Sequence, residues 1–402
     1  MTPLRIAIDC RIPDSRQGIG TAILSLARGL SSYRKTGQVY TFIVPENLVE
    51  FLAPHISGPC SILAVPSPQK NRLLTIARQS ALIRKFAKIV RPSRNLPVSD
   101  QILENNFFDI VHFPTQVAYL TNVPSIYQPW DLQHLHYPEF FTPQEVATRE
   151  KLYRAFCNQA FVVAIQTEWG KSDLIHQYGL EESKVRVVRW GSIFEDYSSP
   201  SDLELDICSR ELNLASKFIV FPAVTWPHKN HEVIIRCIAR MTATEPDLHA
   251  VFTGATTPYK NNLTDLATEL GVLHKIHFVG FVTPQQLKAI YSLATAMVFP
   301  SRFEGLGLPI FEAFHAGLPV VCSNSTVLPE VVGDAALLFN PDSVQELASQ
   351  LSRLLESVAL RKNLIERGKQ MLSMNTSLQT AGHLTDIYDE VAQAMIRTRD
   401  KS

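Results

Sequence analysis

Short apolar stretches alternate with amphipathic helices along most of the chain, which restricts it to parallel α/β sheets. In the first half Arg5 to Asp9, Tyr40 to Val44, Ser61 to Val65, Asp109 to Phe113, Ser125 to Tyr127, Phe161 to Ile165 and Lys184 to Val188 read as strands. Gly20 to Ser32, Leu73 to Val90, Pro143 to Asn158 and Glu168 to Tyr178 read as helices between them. In the second half the strands are Phe218 to Phe221, Ala250 to Thr253, Ile276 to Val279, Ala296 to Phe299 and Pro319 to Cys322. The helices there are Glu232 to Met241, Leu263 to Leu270, Gln285 to Ala294, Leu308 to Ala316 and Val344 to Glu356. A polar segment from Gly191 to about Asn213 separates the halves. The expected organisation is a first Rossmann-like domain over 1–195, a linker over 196–213 and a second domain over 214–378. A last helix is expected over 379–402. Ligands of such sheets bind at the carboxyl ends of the strands.

At 402 residues each half is long enough for its own core. Lys plus Arg and Asp plus Glu both number 38, so no net charge draws the chain to nucleic acid. The six cysteines form no Cys-x-x-Cys pair, which suits a reducing compartment. The start of the chain resembles no signal peptide and no apolar run is long enough to span a bilayer. A cytoplasmic protein is the expectation. No Asp-x-Asp pair or His/carboxylate cluster appears, so no obligatory metal and no cofactor is expected.

One stretch carries chemistry. Val298 to Gly317 reads as a strand, a glycine turn and a helix, with Glu304 before the turn and Glu312 within the helix. Gly305 and Gly307 leave room for a ligand to press on the backbone. The free N–H groups of Leu308 and the residues after it form an anion site. A phosphate flanked by two carboxylates requires hydroxyl groups for the carboxylates to hold. A nucleotide-sugar has phosphates with hydroxyl-rich groups on both sides. Glu312 is placed in the first helical turn, where the helix dipole alone would stabilise it by about 0.3–1 kcal/mol.

Two glutamates with seven residues between them, around Gly-Leu-Gly-Leu-Pro, resemble the signature of family-4 glycosyltransferases, retaining enzymes of the GT-B fold. Trp226-Pro227-His228-Lys229-Asn230-His231 is similar to the family's phosphate-lysine segment, and Gly280 with the helix after it to its next block. Ser323-Asn324-Ser325 through Leu328-Pro329-Glu330 and Gly333-Asp334-Ala335-Ala336 matches the loop beyond the glutamates. Arg16-Gln17-Gly18-Ile19-Gly20 resembles its acceptor-side glycine loop. Asp131-Leu132-Gln133-His134 and Tyr137 to Phe141 resemble a block of mannosyl- and rhamnosyltransferase-like members.

The resemblance implies a GT-B fold, a last helix over 379–402 that crosses back onto the first domain, and transfer of a hexose from a nucleoside diphosphate to a glycan or lipid-linked acceptor. It implies catalytic roles for Glu304, Lys229 and Asp131. Donor binding would fall to Gly305, Leu306, Gly307, Leu308, Glu312 and Asn230, with Gly18, Gly20, Trp130 and His134 on the acceptor side. Trp130 stands where many members have histidine, and Val224 where many have arginine. An epimerase or phosphorylase on the same fold, or a non-catalytic nucleotide-sugar-binding protein, stays open beside this reading. In 70–94 eight basic residues run without an acidic one, beside an approximate apolar stripe. A peripheral contact with the inner face of a membrane, and packing on the first sheet, are both open for it.

Overall fold

The computed structural model describes residues 2–12, 18–33, 35, 37–66, 96–191 and 198–399. The basic segment 70–94 and Arg16-Gln17 lie outside them. Two all-parallel sheets form, one per half. The first contains β1 (Leu4–Asp9), β2 (Gln38–Pro45), β3 (Cys60–Val65), β4 (Ile110–Phe113), β5 (Ser125–Tyr127), β6 (Val162–Ile165) and β7 (Val185–Val187). Its order is β3-β2-β1-β4-β5-β6-β7. The second contains β8 (Phe218–Pro222), β9 (His249–Thr253), β10 (Ile276–Gly280), β11 (Ala296–Phe299), β12 (Val320–Ser323) and β13 (Ala336–Phe339), in the order β10-β9-β8-β11-β12-β13. These are the two Rossmann-like sheets of a GT-B fold.

Strand order reverses between β1 and β4 in the first sheet and between β8 and β11 in the second. The crevice of such a sheet opens at that reversal, where the flanking connections leave to opposite faces. The central strands β4, β6, β11 and β12 are buried on both faces, while the edge strands β3 and β10 are largely half-buried. Ile6 and Ile8 pack towards helix Gly18–Ser32, while Ala7 and Val111 join the core on the other face.

Two local expectations change. Residues 202–211, whose polar composition suggests a connector, form the helix Asp202–Glu211. Ser201 accepts from the Glu204 N–H and Glu204 reaches back to the Ser201 N–H, a reciprocal cap that the Ser-x-x-Glu spacing encodes. Cys208 is buried on it, and Glu211 meets Gln286 of helix Pro284–Leu293. Strand β13 has no counterpart among the strands expected from sequence. Ala336 to Phe339 are four residues with no polar alternation, and pairing with β12 makes them a strand.

The chain passes from first to second domain after Gly191 and returns at Thr376-Ser377. The two crossings touch. A Cβ on Gly191 would lie 1.9 Å from the Thr376 carbonyl carbon, so only glycine fits there. The Gly191 N–H donates to Thr380 Oγ1 at 2.7 Å. Helix Ser377–Arg399 then lies on the first domain. Lys35 reaches Asp386 and Asp389 at 2.7 and 2.8 Å, Arg186 reaches Glu390 at 2.7 Å, and Tyr388 Oη meets His112 Nδ1 at 2.9 Å.

Candidate active site

Lys229 follows β8 and Glu304 follows β11, the two strands at the reversal point of the second sheet. Their separation of 75 residues closes to a 2.6 Å ion pair between Nζ and Oε1. Both side chains are largely covered, 21% and 11% exposed, so the pair is only partly screened by solvent. Lys229 ends a one-turn helix, Pro227–Lys229, and Asn230 follows in the left-handed conformation at φ 59°. Asparagine is among the few residues with a side chain that tolerates it. Asn230 Nδ2 donates to the carbonyls of Pro300 and Pro341 at 3.2 and 2.8 Å. This expected donor contact is thus buried, and its amide nitrogen braces the lysine loop against the glutamate turn.

The glycine turn folds as strand, turn and helix Leu308–His315, with Gly307 at φ 84° before the first helical residue. What presses on Gly305 is the chain itself. A Cβ there would lie 2.9 Å from the Trp130 carbonyl oxygen and 3.3 Å from Asp131 Oδ2, both of the first domain. Leu306 is buried and Leu308 half-buried in the turn that presents the N–H groups.

Glu312 is the fifth helical residue, in the second turn rather than the first, so the helix dipole does not account for it. Its carboxylate accepts from Tyr291 Oη at 2.6 Å. Burial pushes this acid up to about 7, against the lowering effect of the tyrosine bond.

Across the cleft Asp131 follows β5. Its Oδ1 accepts the Gln133 N–H at 3.0 Å, a local turn bond. Burial raises its pKa; the Gln133 N–H, Arg149 and Lys229 oppose the rise, while Glu304 adds to it. Trp130 is held at φ 71°, its indole N–H donating to the Pro114 carbonyl at 2.8 Å and its ring 5.4 Å from Trp190. The tryptophan is therefore fixed in the first domain, and its carbonyl is what meets Gly305. Gly18 and Gly20 open helix Gly18–Ser32 beyond β1.

His134 is fully buried, with Nε2 3.3 Å from Glu150 and its ring edge-on to Tyr153. It packs inside the first domain in place of the acceptor-side position expected of it. The nearby histidine that meets the other domain is His136. Its Nε2 lies 2.8 Å from Asp173, and its ring 5.3 Å from Phe303. Trp169 adds a third ring, 5.9 Å from Phe303. Phe303 and His136 are legible in the sequence only as an aromatic beside Glu304 and a second histidine near Asp131.

Trp130, Asp131, Trp169, Glu304, Gly305 and Val327 border a cavity of about 10 Å³ between the domains. That volume is near the minimum for one water molecule. A larger surface depression of about 490 Å³ lies by Lys217, Thr295 and Pro319, at the opposite, amino ends of the second sheet's strands. It is remote in topology from the convergent charges. Among the described residues no group of three or more His, Cys, Asp or Glu is placed to hold a metal ion.

Residues 206–371 match the sequence model of the family described as glycosyl transferases group 1. The second domain is that of a group 1 glycosyltransferase. The glycosyltransferase resembles the O-antigen chain mannosyltransferase B of Escherichia coli, 25% identical over 77% of this chain and 82% of the relative. It is also similar to a D-inositol 3-phosphate glycosyltransferase of Corynebacterium glutamicum, 30% identical over 60% of this chain and 62% of that protein. Among solved structures it shares its fold with Anabaena Alr3699/HepE in complex with UDP and glucose, TM-score 0.70 at 17% identity over 96% and 100% of the two chains. WaaG, a glycosyltransferase involved in lipopolysaccharide biosynthesis, superposes at TM-score 0.65 and 16% identity over 95% and 99%. No described helix of the glycosyltransferase is long and apolar enough to cross a membrane.

Proposed function

We propose that the protein is a retaining, metal-independent transferase that moves a mannose- or rhamnose-like hexose from a nucleoside diphosphate to a glycan or lipid-linked acceptor. The observation that carries this reading is the convergence of Lys229, Glu304 and Asp131 where the reversal point of the second sheet faces the first domain. The diphosphate would draw Lys229 away from Glu304. The lysine would then meet the negative charge that grows on the leaving group, together with the N–H groups of helix Leu308–His315. Lysine and helix end supply the positive charge that a metal supplies elsewhere, and Val224 makes that share larger.

Glu304, released from its pair, would hold donor-sugar hydroxyls and offset the oxocarbenium-like charge. Glu312 would take the ribose hydroxyls. Neither acts as a nucleophile in this reading. The acceptor hydroxyl attacks the face the phosphate leaves, and the departing phosphate takes its proton. Asp131, Trp130 and the Gly18–Gly20 helix start would border the acceptor. The mannose preference is supported by the mannosyltransferase relatives. A lipid-linked acceptor is supported by the basic run 70–94, which would keep the enzyme at the cytoplasmic membrane face.

A thermal-shift screen of uridine, guanosine, adenosine and thymidine diphosphate sugars, with and without a chelator, tests donor use by mass action. Stabilisation by one donor that survives chelation is expected. No shift from any of them would sink the proposal. Proton NMR of the glycoside formed, showing the donor's anomeric configuration kept, tests retention.

A further inference from the structure

The domains are joined by the two chain crossings at Gly191 and Thr376, and also by a contact that no covalent link requires. Glu330 belongs to the second domain, on the short helix Leu328–Val332. Its two carboxylate oxygens accept the backbone N–H groups of Glu168 and Trp169 at 2.9 and 3.0 Å. Those are the first two positions of helix Glu168–Tyr178 in the first domain. The third N–H, of Gly170, goes to Thr167 Oγ1 at 3.0 Å. A helix start leaves such donors without partners of its own and carries positive potential. Here two of the three are taken by a carboxylate from across the cleft.

Phe303 of the second domain packs on the same helix end, between Trp169 and His136, and the next residue is Glu304. The Glu330 contact therefore sets where Glu304 stands against Asp131. The space bordered by Trp130, Asp131, Glu304 and Gly305 between the domains has room for about one water molecule. A ligand fits beside Glu304 in this space only when the two domains separate there, and separation must break the Glu330 bonds.

We infer that Glu330 is a positioning residue, a latch whose carboxylate seats on the start of helix Glu168–Tyr178 and fixes the domains in register. The inference goes beyond the proposed transfer reaction and does not rest on it. Its test reads no catalysis. Glu330→Ala and Glu330→Gln are compared with wild type by hydrogen exchange over 166–172 and by small-angle X-ray scattering.

The alanine variant is expected to expose the Glu168 and Trp169 amides, with protection falling about tenfold or more, the scale of a lost charged hydrogen-bond acceptor. Its radius of gyration should rise as open forms populate. The glutamine variant, which keeps the volume but can accept with one oxygen only, should fall between. It also carries the test if the alanine variant does not fold. Faster exchange with an unchanged radius of gyration in the folded variant would reduce Glu330 to a local cap and overturn the latch. Unchanged exchange would overturn the contact itself.

Discussion

Lys229 Nζ and Glu304 Oε1 lie 2.6 Å apart, so the cation proposed to meet a diphosphate is held by the carboxylate proposed to hold a sugar. In the proposed reaction Glu304 and the diphosphate are alternative partners for the lysine, and binding is an exchange. Lys229→Ala should weaken nucleoside-diphosphate binding by about ten- to a hundredfold, the scale of a charged hydrogen bond. Glu304→Gln should leave that affinity equal or tighter, because the lysine is freed, while turnover falls. Calorimetry on both variants checks this. Wild-type affinity in Lys229→Ala would remove the lysine from the donor site.

The Glu312 acid gives a pH signature. Its pKa rises from 4.5 to about 7 on folding because burial disfavours the charged form. Between those values the folded state keeps a proton that the unfolded state has released. Stability should therefore fall as pH rises from about 4.5 to 7 and level off above that range. Glu312→Gln removes this contribution. Urea unfolding at pH 5 and pH 8 should show a smaller loss in the variant than in wild type.

His136 shows the same direction from a different cause, in a higher pH window. The Asp173 hydrogen bond raises its pKa above 6.5, outweighing partial burial. The stabilisation is present in full below 6.5 and is lost as pH climbs through the higher folded value. Asp173→Asn should cost more stability at pH 6 than at pH 8. An NMR titration of the His136 ring should move to a lower midpoint in that variant.

Gly191→Ala forces a methyl into the Thr376 backbone at the domain crossing. Destabilisation of about 1–3 kcal/mol or more is expected, because neither strand of the crossing can yield alone. Gly179→Ala is the matched control. Gly179 has positive φ but nothing within 4 Å of its Cβ position, so it carries backbone strain without the clash. Thermal unfolding should show a larger loss for Gly191→Ala.

The sequence alone located most of the elements and the glutamate–glycine turn of the second half. Apolar runs bounded by glycine and polar residues located twelve of the strands. The spacing of Glu304, Gly305, Gly307 and Glu312 located the turn, because strand, turn and helix there are set by neighbours in the chain. The Ser201 cap was equally local, and the polar composition around it hid the helix. What only the tertiary structure decided is which groups meet across long separations. Lys229 and Glu304 pair because β8 and β11 are adjacent, a fact of strand order. Gly305 takes the Trp130 carbonyl because one domain closes on the other. His134 turns into the first domain and His136 towards Phe303 because the packing of the short helix Gln133–His136 chose between them. Glu330 carries no local sign of its partner. Backbone N–H groups have no residue identity, so a carboxylate that binds them becomes visible only once folding brings the helix start against it.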